Sequence, residues 1–288
     1  MTTPSGPYQD AQGRPRLRHS WVYYVDALGT REAARDLTEK TLRARLAPEG
    51  WYHRFVHHGN LTARQAALYF TDNIVVAAPA DDEIDYPSNT LGDMLNGLAS
   101  YIVGMAIESN IAYRGGVSIG PAFVADRLIM GDDLAMVGAA HGQAIIDTVL
   151  LEEHRAQVPR VVIDDAVIER IRWLIAPDPL GIFSAPIARD TADGTVFLGH
   201  LRAVLGFDPV QLTDPRLDPI SRAALLTRYR GFIIAGMEKP YVYGKYLWLA
   251  RYFNATLADQ TLNLPPIEPI PDAGRLRLEV IEFGSIGK

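Results

Sequence analysis

The stretch WVYYVDAL, residues 21–28, is built from aromatic and β-branched residues and runs into GTREAARDLTEKTLRARL, residues 29–46, where charges and Leu/Ala spacing suit an amphipathic helix. That is strand, turn, helix, with one acid, Asp26, set in the apolar run. Further along, AALYFTDNIVVAAP (66–79) reads as a second strand, and LGDMLNGLASYIVGMAIESN (91–110) as a helix carrying Leu91, Met94, Leu95, Leu98 and Ile102 at helical spacing. IAYRGGVSIGPAFVAD (111–126) predicts a hairpin because of its glycines and central Gly-Pro, and AMVGAAHGQAIIDTVLLEEHRA (135–156) a helix ending before Pro159. PRVVID (159–164) supplies another strand. This order predicts an α+β sandwich, an antiparallel or mixed sheet with helices on one face.

The texture changes beyond about residue 166. VIERIRWLI (167–175) predicts a short helix, and a Pro-, Gly- and Asp-rich passage leads to a long helical region from Pro219 to about Ala258. A proline-rich connector then ends in a candidate edge strand. The expected organisation is a flexible tail over 1–18, an α+β domain over 19–165 and a mainly helical C-terminal extension over 166–288.

Composition narrows the function classes. The chain has 288 residues, 48% hydrophobic and 22% charged, which fits a folded protein with a full core. A formal net charge of −6 argues against a general nucleic-acid binder, which needs a cationic surface. Cysteine is absent, so disulfides, thiolate metal sites and a cysteine nucleophile are excluded. The first twenty residues lack the apolar core of a signal peptide, and no stretch approaches the roughly 18 apolar residues of a membrane span. A cytoplasmic location with no membrane partner is expected.

Two apolar strands each carry a single aspartate, Asp26 in YYVDALG and Asp72 in YFTDNIVV. A carboxylate in such surroundings is costly to desolvate unless it is paired or binds a cation. On neighbouring strands the two would converge on Mg²⁺ or Mn²⁺, hard cations that sit on substrate phosphates; capping of the following turn is the ordinary alternative for each. Ala27, Leu28, Gly29 and Thr30 follow at a helix start, where free N–H groups suit a polyphosphate. Arg114, in YRGGVSIG, adds a cation, for which a surface salt bridge is the common explanation.

In their order and spacing these pieces resemble the class III nucleotidyl cyclase catalytic domain over about residues 20 to 165. The resemblance implies a cyclase-like (ferredoxin-like) fold, Asp26, Asp72 and the Ala27 carbonyl as ligands of two Mg²⁺ or Mn²⁺ ions per site, and Arg114 on the triphosphate. YYVDALGTR, YFTDNIVV, YRGGVSIG and VGAAHGQAIIDTVLLE followed by PRVVID are most similar to the bacterial pyrimidine cyclases of Pycsar antiphage systems. KYLWLARYFN (245–254) looks like a signature of that subfamily outside the general cyclase domain. The likeness implies UTP or CTP as substrate, a homodimer with sites at its interface, and a separate effector protein that responds to the cyclic product.

Departures from purine cyclases sharpen the expectation. Ala66 and Leu68 stand where those enzymes carry a base-reading Lys, and Ala135 where they carry its partner Asp. Gly142 and Ile146 replace the Asn and Arg that steady ribose and developing charge, leaving Arg54, Arg127 or a partner subunit to supply a cation. A pyrimidine pocket needs a bulky wall that excludes purines, and Tyr52 in Trp51-Tyr52-His53-Arg54-Phe55 is the candidate; packing of Trp51 and Phe55 in the core is the alternative. His53, His57 and His58 lack a further zinc ligand, and neither a Gly-x-Ser-x-Gly elbow nor a phosphate-loop or dinucleotide fingerprint occurs. The rival functions are a purine cyclase and a catalytically dead, nucleotide-binding cyclase-like module.

Overall fold

The computed structural model describes residues 7–10, 12, 14–28, 65–69, 72–80, 87–125, 128–130, 133–135, 138–175, 187–206, 222–258, 264–268 and 276–281. Its frame is a nine-stranded mixed sheet. The central strand β1 (Arg18–Ala27) is flanked by β3 (Asn73–Pro79) on one side and β4 (Tyr113–Ala125) on the other, both antiparallel to it. β2 (Ala66–Tyr69) closes the β3 side. Beyond β4 come β8 (Val161–Ile163), parallel to it, then β10 (Val196–Leu198), β9 (Ile187–Asp190) and the edge strand β11 (Leu278–Val280). β7 (Ala139–His141) pairs with the far end of β4, and β5 (Leu128–Met130) with β6 (Asp133–Ala135) forms a separate ribbon.

Helices cover both faces of this sheet, not one. Trp21, Tyr23 and Val25 of β1 share a core with Leu91, Met94, Leu95, Leu98 and Ile102 of helix α1 (Pro87–Ser109). Val22, on the opposite face by strand alternation, packs with Val75, Ala144 and Ile145, the last two from α2 (Gln143–Arg155). β1 and β3 are apolar on both sides, so each face needs a cover. α3 (Asp165–Ile175) joins the α1 side through Val167, Ile168 and Ile171.

A second core forms behind α1. Val103 and Ala106 meet α4 (His200–Gly206), α5 (Arg222–Met237) and α6 (Tyr243–Ala258) through Leu201, Leu226, Tyr229, Ile233, Leu249 and Tyr252. The C-terminal segment therefore contributes helices to this core and β9, β10 and β11 to the main sheet. Among the described residues no helix is long and apolar enough to cross a membrane.

Four local expectations are corrected. AALYFTDNIVVAAP is two strands with Asp72 in the bend before β3, not one strand. IAYRGGVSIGPAFVAD is the single strand β4, because Gly120 and Pro121 stay in register opposite Ser20 and His19 of β1. The helix expected from Ala135 begins at Gln143, since Gly142 adopts φ 126°, a conformation reserved for glycine, and Ala139–His141 is strand. Finally, part of the supposed flexible tail is docked: Tyr8 is buried against Phe123, and its hydroxyl donates to Ser20 Oγ at 2.9 Å. The helix expected over 29–46 lies outside the described residues.

Candidate active site

The ends of three strands build the site. In the β1 ladders Asp26 stands opposite Asn73 on one side and Arg114 on the other. Asp72 precedes Asn73, and its backbone carbonyl accepts the Ala27 N–H at 3.0 Å. Asp26, at the end of β1, and Asp72, in the bend before β3, thus lie at the same end of the sheet, and the Asp72 charge is felt at Asp26. Leu28 departs from expectation. Its N–H donates to the Ala112 carbonyl at 2.8 Å and is not free for a phosphate.

Arg114 bridges two acids. Its Nη2 lies 3.4 Å from Asp26 Oδ2 and its Nε 2.5 Å from Glu152 Oε1. Glu152 comes from α2 and is 4% exposed. Residues 144, 145, 148, 151 and 152 form the buried stripe of α2, and an acid ending such a stripe was the available sequence signal for this partner. The approach of α2 depends on Gly116, where a Cβ would stand 2.6 Å from the Thr148 carbonyl and 2.8 Å from Leu151 Cβ. Gly115 plays the same part toward β1, since a Cβ there would collide with the Tyr24 carbonyl.

The electrostatics reflect burial. Desolvation raises the Asp26 carboxyl above its ordinary range; Arg114 opposes this, Asp72 adds to it, and Lys245 of α6 opposes it again. Glu152 is raised in the same way, by burial first, with Arg114 opposing and Asp26 adding. Two tyrosines border the acids. Tyr24 is pushed up by burial and then by Asp26, Glu152 and Asp72. Tyr113, whose hydroxyl lies 2.9 Å from that of Tyr101, is pushed up to about 12, chiefly by burial.

Among the described residues no group of three His, Asp or Glu side chains forms a ready metal cage. Two neighbouring carboxylates at one sheet end still suit Mg²⁺ or Mn²⁺, which keep waters and complete their shell with phosphate oxygens. The remaining candidates divide. Gly29, Thr30, Tyr52, Arg54 and Arg127 lie outside the described residues, as do His53, His57 and His58. Leu68 is buried on β2 beside Gly138. Ile146 is 54% exposed on α2, one turn from Leu150, which is 43% exposed.

No protein-family model matches the chain, and no curated protein sequence matches it. Solved structures do resemble it. The adenylyl cyclase CyaB from P. aeruginosa is 11% identical with a TM-score of 0.46, covering 64% of this chain and 94% of that one. The monomeric guanylyl cyclase domain of the RhoGC fusion protein from the aquatic fungus Blastocladiella emersonii is 11% identical with a TM-score of 0.44, covering 63% and 95%. The guanylate cyclase domain of RhGC from Catenaria anguillulae in complex with GTP is 11% identical with a TM-score of 0.42, covering 62% and 93%. At these low values the chemistry has to be read from the chain's own residues.

Proposed function

We propose that this chain is a nucleotidyl cyclase acting on a pyrimidine nucleoside triphosphate, UTP or CTP. The 3′-oxygen attacks the α-phosphorus, its proton leaves, the bond to the bridging oxygen breaks, and the products are the 3′,5′-cyclic monophosphate and pyrophosphate. The observation that carries this reading is the convergence of Asp26 and Asp72 at one sheet end beside a cation, Arg114, braced by a buried acid.

Asp26, Asp72 and the Ala27 carbonyl would hold Mg²⁺ or Mn²⁺, two ions per site, which when bound activate the 3′-hydroxyl and neutralise the triphosphate. Arg114, exchanging Asp26 for the substrate, orients the phosphates while Glu152 keeps its guanidinium in place. Positioning and fixed charge then supply most of the rate. The apolar residues Ala66 and Leu68 support a site that does not read a purine, and Tyr52 is proposed as the wall of the base pocket. Two copies complete two composite sites, consistent with the exposed apolar pair Ile146 and Leu150 on α2. The cyclic product would signal to a separate effector in antiphage defence.

The test is mass spectrometry of products from an equimolar mixture of ATP, GTP, CTP and UTP with Mn²⁺. Cyclic UMP or CMP with pyrophosphate is expected; cyclic AMP or GMP would make it a purine cyclase. A second reading is favoured by Gly142 and Ile146, which supply neither amide nor guanidinium to the reacting centre: a nucleotide-binding module without turnover. Bound nucleotide with no pyrophosphate release would select it.

A further inference from the structure

We propose that a pocket lined by the end of α2, the residue before β8 and helix α6 is a second binding site, and that it takes a phosphate group. The inference is independent of the cyclase reading, since none of Asp26, Asp72, Arg114 and Glu152 lines this pocket.

The pocket has a volume of about 360 Å³, within the range of small-molecule sites. His154 and Arg155 line it from the last turn of α2, Arg160 from just ahead of β8, Asp190 and Asp193 from the end of β9 and the turn after it, and Trp248 from α6. Buried contacts fix its floor. Arg160 is 6% exposed, and its Nη2 donates to Asp193 Oδ2 at 2.6 Å and to the Arg155 carbonyl at 3.0 Å. Its Nη1 lies 3.5 Å from Asp190 Oδ2. The guanidinium stands 6.0 Å from the centre of the Trp248 ring, which in turn stacks on Tyr252.

Acceptors and donors in this lining are unequally satisfied. Both oxygens of each acid are engaged: Asp190 Oδ1 accepts the Ala192 N–H at 2.9 Å, Asp193 Oδ1 accepts the Thr195 N–H at 2.9 Å, and the other two face Arg160. The donors are not. Arg160 Nε and Trp248 Nε1 are buried without a hydrogen-bond partner. Among the described residues the side chains of His154 and Arg155 make no hydrogen bond or ion pair. Cations in the last turn of a helix ordinarily offset its dipole, which would account for His154 and Arg155 by themselves. It does not account for two unmet donors in the same pocket, because buried N–H groups are normally paired. The buried positions left open are donors, and the half-exposed Arg155 beside them carries an unpaired guanidinium. A group rich in acceptors and negatively charged matches that inventory. The donors come from α2, from the approach to β8 and from α6, and a tetrahedral phosphate spreads its oxygens in more directions than a planar carboxylate.

The test is calorimetry on the full-length protein at constant ionic strength and without divalent metal, with inorganic phosphate, glycerol 3-phosphate and acetate as probes. Arg155→Met keeps an aliphatic stem and deletes the charge, while Arg155→Lys keeps the charge without the planar fork. Arg114→Gln and Lys239→Ala are controls, one in the candidate active site and one on an exposed lysine of the α5–α6 turn. Melting curves check that each variant is folded. Phosphate should bind the parent saturably, and Arg155→Met should weaken it by about tenfold or more, the loss of one charge-assisted contact. Arg155→Lys should lose less, and both controls should match the parent. Tighter binding of glycerol 3-phosphate than of inorganic phosphate assigns the site to a phosphorylated small molecule, and equal binding assigns it to the free ion. No phosphate binding by the parent, acetate binding as tight as phosphate, or parent-like affinity in folded Arg155→Met protein overturns the inference. So does loss of binding in folded Arg114→Gln protein, which would put the anion in the candidate active site.

Discussion

Asp26 carries a charge that burial and Asp72 both oppose, with Arg114 and Lys245 giving only partial relief. Its carboxyl is raised above the unfolded value of 3.8, so the metal-free folded form holds a proton more tightly than the unfolded chain does. Stability from this group is therefore full at pH below 3.8 and is lost as pH rises through the raised value. Asp26→Asn should consequently melt at or above the parent at neutral pH without metal, while losing turnover. Mn²⁺ should raise the melting temperature of the parent and not of the variant. A variant that melts lower without metal, or gains as much from Mn²⁺, would show that Asp26 is a structural acid. Asp26, Asp72 and Arg114 were legible because each is a charge set in an apolar or glycine-rich run of sequence. Glu152 was harder to see: of two consecutive glutamates, only the helical phase set by Ala144, Thr148 and Leu151 turns the first inward.

Between elements, the contacts were less readable than the elements themselves. Gly-Pro at 120–121 signals a turn locally, yet the ladder to β1 holds both residues in strand, a case of tertiary pairing overriding local preference. The run from Ala135 to His141 suits either helix or strand, and only the positive φ of Gly142 decides where α2 starts. The docking of α4 on α5 and α6 was invisible for the same reason, and it rests on a buried histidine. His200 is 1% exposed, its Nε2 lies 2.9 Å from Tyr229 Oη, and its ring lies tilted against that of Tyr252 with centroids 4.9 Å apart. Burial lowers its pKa from 6.5 to about 4. The unfolded chain therefore takes up this proton first, and stability present above pH 6.5 is lost as pH falls toward about 4, by about 3 kcal/mol. Denaturant titrations of parent and His200→Gln across that interval should show a shallower acid loss in the variant. Equal slopes would mean that the imidazole is protonated at little cost in the fold.

For the molecule as a whole, the chain gathers Asp26, Asp72 and Arg114 at one sheet end, while α2 turns Ile146 and Leu150 outward. These lie four residues apart on one helix, hence on one face, and the helix begins directly after Gly142. Burying an Ile or Leu side chain contributes roughly 1.5–3 kcal/mol, so an apolar pair repeated across a twofold axis is a substantial part of a dimer interface. The paired substitution Ile146→Glu with Leu150→Glu places like charges on that axis but removes little packing within the protomer. Sedimentation should show the parent as a dimer and the variant as a monomer, with matching melting temperatures. Specific activity of the parent should fall on dilution through the dissociation range, and the variant should be inactive at every concentration while still binding Mn²⁺. If the monomeric variant keeps its turnover, the site is complete within one chain and the composite arrangement is excluded. Activity that survives only at high protein concentration would instead place other residues at the centre of the interface.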